Sequence, residues 1–160
     1  MTRGFDWLST RKVKLGLLSF IFVWIGVVVA TNVIDGLNAL GVAGGNLPLA
    51  SGNFELIESK TSHLNPPGVL NGLMFAGVIL WESVIFVLFG NAIRNYCYRN
   101  INQAFGVSFG LFAAFVIVDD VIGAFGVENK HRNILIMLVA VWLYVNFADS
   151  EESTIPETKN

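Results

Sequence analysis

Sixteen uncharged, mostly apolar positions run from Leu15 to Ala30 behind the basic trio Arg11, Lys12 and Lys14. Extended through Val33 and Ile34, they supply the roughly 20 residues an α-helix needs to cross about 30 Å of hydrocarbon, and a first span is expected at 13–34. The basic stems can snorkel to the surface while the apolar run enters the bilayer. A basic front, an apolar run and the Val28-x-Ala30 pair also fit a secretory signal peptide, although the run exceeds the usual core of about 7–15 residues.

The pattern breaks at residue 36. A 32-residue connector, 36–67, carries Gly36, Gly41, Gly44, Gly45, Pro48, Gly52 and then Asn65-Pro66-Pro67, the composition of an external loop. Within it, Asn53 to Ser62 places Phe54, Ile57 and Glu58 at helical spacing, which fits a short surface helix or an irregular connector. The proline pair cannot continue a helix backwards, so a second span starts behind it, at about 69–89. A third follows at about 104–124. The fourth, about 133–147, is short for the hydrocarbon core and needs snorkelling flanks or a thinned bilayer. Trp142 and Tyr144 near its end suit an interfacial belt.

The expected fold is therefore all-α: a four-helix transmembrane bundle, up-down-up-down, forming a single domain over 1–148 with a structured external loop. Composition agrees, with 14% charged residues against about 25% in soluble domains. A net charge of -2 leaves no basic stripe for phosphates, so nucleic acid is set aside as a partner. The single cysteine, Cys97, excludes an intrachain disulfide and every paired-cysteine zinc pattern.

Orientation follows from Lys and Arg counts. With the N-terminus in the cytoplasm, Arg3, Arg11, Lys12, Lys14, Arg94, Arg99 and Lys159 fall inside, and only Lys60, Lys130 and Arg132 outside. Both termini are then expected in the cytoplasm, the acidic stretch 149–160 being a disordered tail.

Few polar residues interrupt the spans. Glu82 falls near mid-membrane, where a charged carboxylate costs at least about 2.5 kcal/mol, so it must face other helices. Asp119 and Asp120 lie in the outer half of the third span, pointing about 100° apart, so at most one faces the centre squarely. Asn32 and Asp35 end the first span on the same side, Asn71 opens the second on the face of Glu82, and His131 opens the fourth. This outer polar cluster is either an acidic, water-accessible vestibule or a hydrogen-bonded plug. Neither His131 nor His63 has a carboxylate one helical turn away inside a span, so no metal or other cofactor is expected. The stripes Gly68, Gly72, Ala76 and Gly106, Gly110, Ala114 permit close helix contact, within the chain or with another copy.

Asn32-x-x-Asp35, Gly52-Asn53-Phe54 and Leu80-Trp81-Glu82 together resemble an uncharacterised family of bacterial predicted small integral membrane proteins, over nearly the whole chain. That family has an Asn/Asp pair after the first span, an Asn-Phe segment in the first external loop and a Glu inside the second span. The loop between Asp35 and Asn53 is longer here. The resemblance implies a bacterial cytoplasmic membrane and no activity, and it groups Asn32, Asp35, Asn53 and Glu82.

Three functions fit. The first is a non-catalytic accessory or structural component in the lipid bilayer, packed in a homo-oligomer or a larger membrane complex. The second is a small transporter or proton/cation pathway through Glu82 with Asp119, Asp120 and Asp35. The third is a membrane enzyme with Glu82 as general base, for which the sequence offers no nucleophile or oxyanion donors.

Overall fold

The computed structural model of the chain describes residues 10–45 and 47–148. The expected tail at 149–160 lies outside the described residues. Their regular elements are all helical, with five α-helices: α1 (Thr10–Ala39), α2 (Asn53–Thr61), α3 (Gly68–Arg94), α4 (Tyr98–Val121) and α5 (Phe125–Phe147). Single 3-10 turns lie at Val42–Gly45 and Ser62–Leu64. Three of the helices, α1, α3 and α4, are long and apolar enough to cross a membrane.

The boundaries follow local chemistry. Pro67 stands just ahead of α3, where its missing N–H breaks no intrahelical bond. Gly123, with φ of 69°, makes the tight turn out of α4, since L side chains rarely adopt that backbone. The final helix differs from the expected fourth span. It starts at Phe125 rather than 133 and carries Glu128, Lys130 and Arg132 in its first two turns. Glu128 accepts from Arg132 Nη1 at 2.8 Å, a pair one helical turn apart that lets the charged segment stay helical.

Each long helix is apolar nearly all round, so buried positions rather than amphipathicity reveal which face turns inward. In α1 these are Lys14, Leu18, Ile21, Ile25, Asn32 and Asp35; in α3 they are Asn71, Phe75, Glu82, Ile85, Phe89 and Ala92. Both rows follow the three-to-four residue helical repeat. Apart from Lys14 at the start of α1, both are apolar toward the end where α3 turns into α4, and polar toward the end bearing α2.

Packing runs α1 on α3, α3 on α4 and α4 on α5, with a smaller contact between α1 and α5. Phe22 stacks on Phe86 with centroids 4.4 Å apart. Gly26 and Gly90 admit that pair, since a Cβ on Gly26 would stand 2.8 Å from the Phe86 ring and one on Gly90 3.2 Å from Phe22. Phe89 meets Phe105 edge-on at 5.2 Å. Trp81 Nε1 donates to the Val107 carbonyl at 3.2 Å, and Trp142 Nε1 to Asn102 Oδ1 at 2.8 Å, so Trp142 ties α5 to α4. In a bilayer, such contacts rather than hydrophobic exclusion would drive helix association. Of the glycines in the small-residue stripes, Gly110 has a close neighbour, Trp81 at 3.2 Å, while Gly68, Gly72 and Gly106 have open space.

Candidate functional site

The polar ends of the α1 and α3 rows meet under α2. Asn32 is 1% exposed and Glu82 5% exposed, and Asn32 Nδ2 donates to Glu82 Oε2 at 2.8 Å. Asn32 Oδ1 in turn accepts from Asn53 Nδ2 at 2.8 Å. One amide thus joins the buried carboxylate to the loop helix, using both its donor and its acceptor.

Asp35, one turn further along the same face of α1, does a different job. Its Oδ2 accepts from the Phe54 backbone N–H at 2.8 Å and from Ser51 Oγ at 2.9 Å. Gly52, in the left-handed region at φ 74°, precedes α2 and supplies no side-chain cap. The carboxylate of Asp35 takes that place from another helix, where a negative charge meets the free N–H groups and positive end of the dipole. At the far end of α2, Thr61 Oγ1 shares its proton between the Ile57 carbonyl at 2.8 Å and Asn71 Oδ1 at 3.2 Å, and between the two ends Phe54 packs edge-on against Phe75 at 5.6 Å. The inward face of α2 is therefore Phe54, Ile57 and Thr61, while Glu58 is exposed.

Expected members of the cluster separate accordingly. Asn32, Asn53 and Glu82 form one chain of hydrogen bonds, and Asp35 clamps the start of α2 beside it. Asn71 shares the buried face of Glu82 but bonds to Thr61 instead. Asp119 is buried and lies 2.6 Å from His131 Nδ1 across the α4–α5 contact. The His131 ring rests near Phe115, with centroids 4.6 Å apart. Asp120 is exposed and outside this network, a correction to the expected cluster that follows from the 100° step between neighbours on a helix. His131 sits in the second turn of α5 rather than at its start.

Between these groups lies a chamber of about 540 Å³, inside the range of roughly 300–1,000 Å³ typical of small-molecule sites. Its walls come from all five helices and are mainly apolar, with Asn32 and Glu82 on one side and Asp119 and His131 on another. The backbone of the loop helix α2 runs close to α1 and α3 and stands away from α4 and α5, and the chamber is part-open. Exposed Lys60 and Lys130 stand on this rim. At the other end, Leu18, Ile21, Ile85, Phe89, Ala104 and Phe105 are at most 1% exposed and line no part of the chamber.

Sequence reasoning missed the aromatic walls, Trp24, Phe112 and Phe115, because aromatic residues in an apolar helix serve equally well against lipid. It also missed Ser51 and Thr61, whose hydroxyls read as ordinary loop chemistry. Among the described residues no three His, Cys, Asp or Glu side chains converge as a metal site. Comparison of the chain with family models, curated proteins and solved structures finds no match.

Proposed function

We propose that the chain is a multi-pass membrane protein that crosses the bilayer four times, up-down-up-down, with both termini in the cytoplasm, and that it is a non-catalytic component that holds a small ligand in a one-ended chamber. The membrane reading rests on three long apolar helices. Counting α5 as the fourth span is supported by the apolar run from Ile134 and by Lys130 and Arg132, which can snorkel from its first turns. Alternating direction is supported by the contacting pairs: Phe22 with Phe86 and Asn32 with Glu82, Trp81 with Val107 and Phe89 with Phe105, Trp142 with Asn102 and His131 with Asp119. In each helix pair, rising numbers on one side meet falling numbers on the other. The excess of Lys and Arg in segments placed inside supports the orientation.

The observation that carries the binding reading is the contrast across Glu82. On the α2 side there is a part-open chamber with a few convergent polar groups, the usual form of a ligand site; on the other there is a packed apolar cluster. An enzyme is disfavoured because the hydroxyl on the chamber wall, Thr61 Oγ1, already donates to its own helix at the Ile57 carbonyl, 2.8 Å away. To test the reading, the protein is purified in native lipid and the retained small molecules are identified by mass spectrometry. A molecule kept by the wild type and lost from Ala114→Trp, which fills the chamber, is the expected result. Retention of nothing by the wild type, or of the same molecules by both proteins, overturns it.

A conducting pathway is the second reading, favoured by Glu82 standing on the chamber wall at mid-helix. It requires the packed apolar cluster to part. Proteoliposomes showing cation or proton flux that Glu82→Gln abolishes would establish it in place of static binding.

A further inference from the structure

We infer that the chamber takes a lipophilic organic cation, a molecule whose ammonium or similar centre sits against Glu82 while its apolar body lies among the aromatic walls. This deepens the binding reading above and rests on it. The hydrogen bond from Asn32 is the only one Glu82 makes among the described residues, and it leaves Oε1 unbonded on a residue that lines the chamber. Among the described residues, no lysine, arginine or histidine side chain is paired with this carboxylate. His131 is engaged by Asp119, and Arg132 by Glu128 and Asn129. A carboxyl buried without a protein counter-ion is costly to ionise, and an organic cation brought against it offsets that cost through an attraction that little water screens.

The surroundings select what that charge must be attached to. Trp24, Phe75, Trp81, Phe112 and Phe115 line the same space. Aromatic faces attract cations through their quadrupole, most strongly where the cation is desolvated, and quaternary ammonium ligands are recognised in this way. Trp24 and Phe112 already lie stacked with centroids 6.2 Å apart, and Phe112 meets Phe115 edge-on at 5.9 Å, so these rings need little ordering on binding. A small hydrated metal ion would leave such walls unsatisfied, and only a centre carrying apolar groups matches both features.

Lys60 and Lys130 point to the competing choice, an anionic amphiphile held at the rim. Both are exposed, so water and salt screen them over about 8 Å, and the apolar body of an anion anchored there would lie against the unpaired carboxylate. The interior carboxyl can pair with a cation where little water screens the attraction, and has nothing to offer an anion, so it decides the sign.

The test uses the full chain in phosphatidylcholine nanodiscs, with protein-free nanodiscs subtracting partition into lipid. Tetraphenylphosphonium is compared by equilibrium dialysis with tetraphenylborate, its anionic counterpart of like shape, and with neutral triphenylphosphine oxide. Saturable binding of the phosphonium is expected, weakened at least tenfold by Glu82→Gln, kept within a few-fold by Glu82→Asp and abolished by Ala114→Trp. Unchanged helicity and elution confirm that each variant is folded. Phosphonium and neutral probe bound alike, with no effect of Glu82→Gln, overturns the cation assignment while leaving a binding chamber. Preferred binding of tetraphenylborate overturns it in favour of the rim lysines. No saturable binding of any probe overturns the assignment and counts against the binding reading as well.

Discussion

Replacing Asn32 with alanine removes the amide that both donates to Glu82 and accepts from Asn53, each at 2.8 Å. The two losses differ in size. Glu82 is 5% exposed, so its abandoned oxygen gains little from water, and hydrogen bonds to charged groups contribute about 1.5–3 kcal/mol. Interhelical hydrogen bonds in lipid average only about 0.6 kcal/mol and reach about 1.7, because the unfolded helices also find partners. The Asn32–Glu82 bond belongs near the top of that range, about 1.5 kcal/mol, since both residues are buried and one is a carboxylic side chain. Asn53 is half-buried on the loop helix, where water can replace its partner, and its bond contributes about 0.5 kcal/mol. Asn32→Ala should therefore destabilise by about 2 kcal/mol, roughly a 30-fold change in the folding equilibrium. The measurement is reversible unfolding of the detergent-solubilised protein by sodium dodecyl sulfate, followed by tryptophan fluorescence. Double-mutant cycles should give a coupling of Asn32 with Glu82 about three times that with Asn53. A loss below about 0.5 kcal/mol, or couplings in the reverse order, would refute a buried network centred on Asn32.

Three further outcomes follow from other contacts. Asp35→Ala removes the carboxylate that caps α2 from outside, and the loss of about 1–2 kcal/mol should speed amide exchange in 54–61 roughly tenfold while leaving the α1 core protected; hydrogen exchange that rises equally everywhere would show that α2 is not a separately held element. Gly26→Ala forces a Cβ to within 2.8 Å of Phe86 and should cost about 1–3 kcal/mol, whereas Gly106→Ala meets open space and should be neutral or stabilising by about 0.5 kcal/mol in the same unfolding assay; the opposite ranking would contradict the α1–α3 packing. For orientation, a membrane-impermeant maleimide on intact cells should label Ser59→Cys in a Cys97→Ser background, and should reach the exposed native Cys97 only after permeabilisation. Labelling of Cys97 in intact cells would invert the proposed topology.

The long helices were legible because lipid solvation is a property of each segment by itself. A run such as Leu15 to Ala30 needs no partner to be apolar, and Pro66-Pro67 stops a helix whatever lies nearby. The inward direction of Glu82, Asn32 and one of the two adjacent aspartates was legible on the same ground, since a polar group in an apolar helix must turn from lipid. Helix ends were less so. Phe125 to Arg132 looks like connector by hydropathy, yet forms two turns of α5 with Glu128 paired to Arg132.

Partner choice was hidden because it joins residues far apart in the chain: Asn32 with Glu82, Asp35 with Phe54, Asp119 with His131. Asn71 lies on the buried face of α3 in line with Glu82, but its bond goes to Thr61 because α2 folds down over that end. The chamber exists only where α2 stands away from α4 and α5, a spacing no local pattern encodes. Hydropathy, summed residue by residue, settles which stretches are long and apolar enough to leave water; the shape of the chamber and the bonds made inside it arise only when the helices have packed, because each depends on side chains from several of them at once.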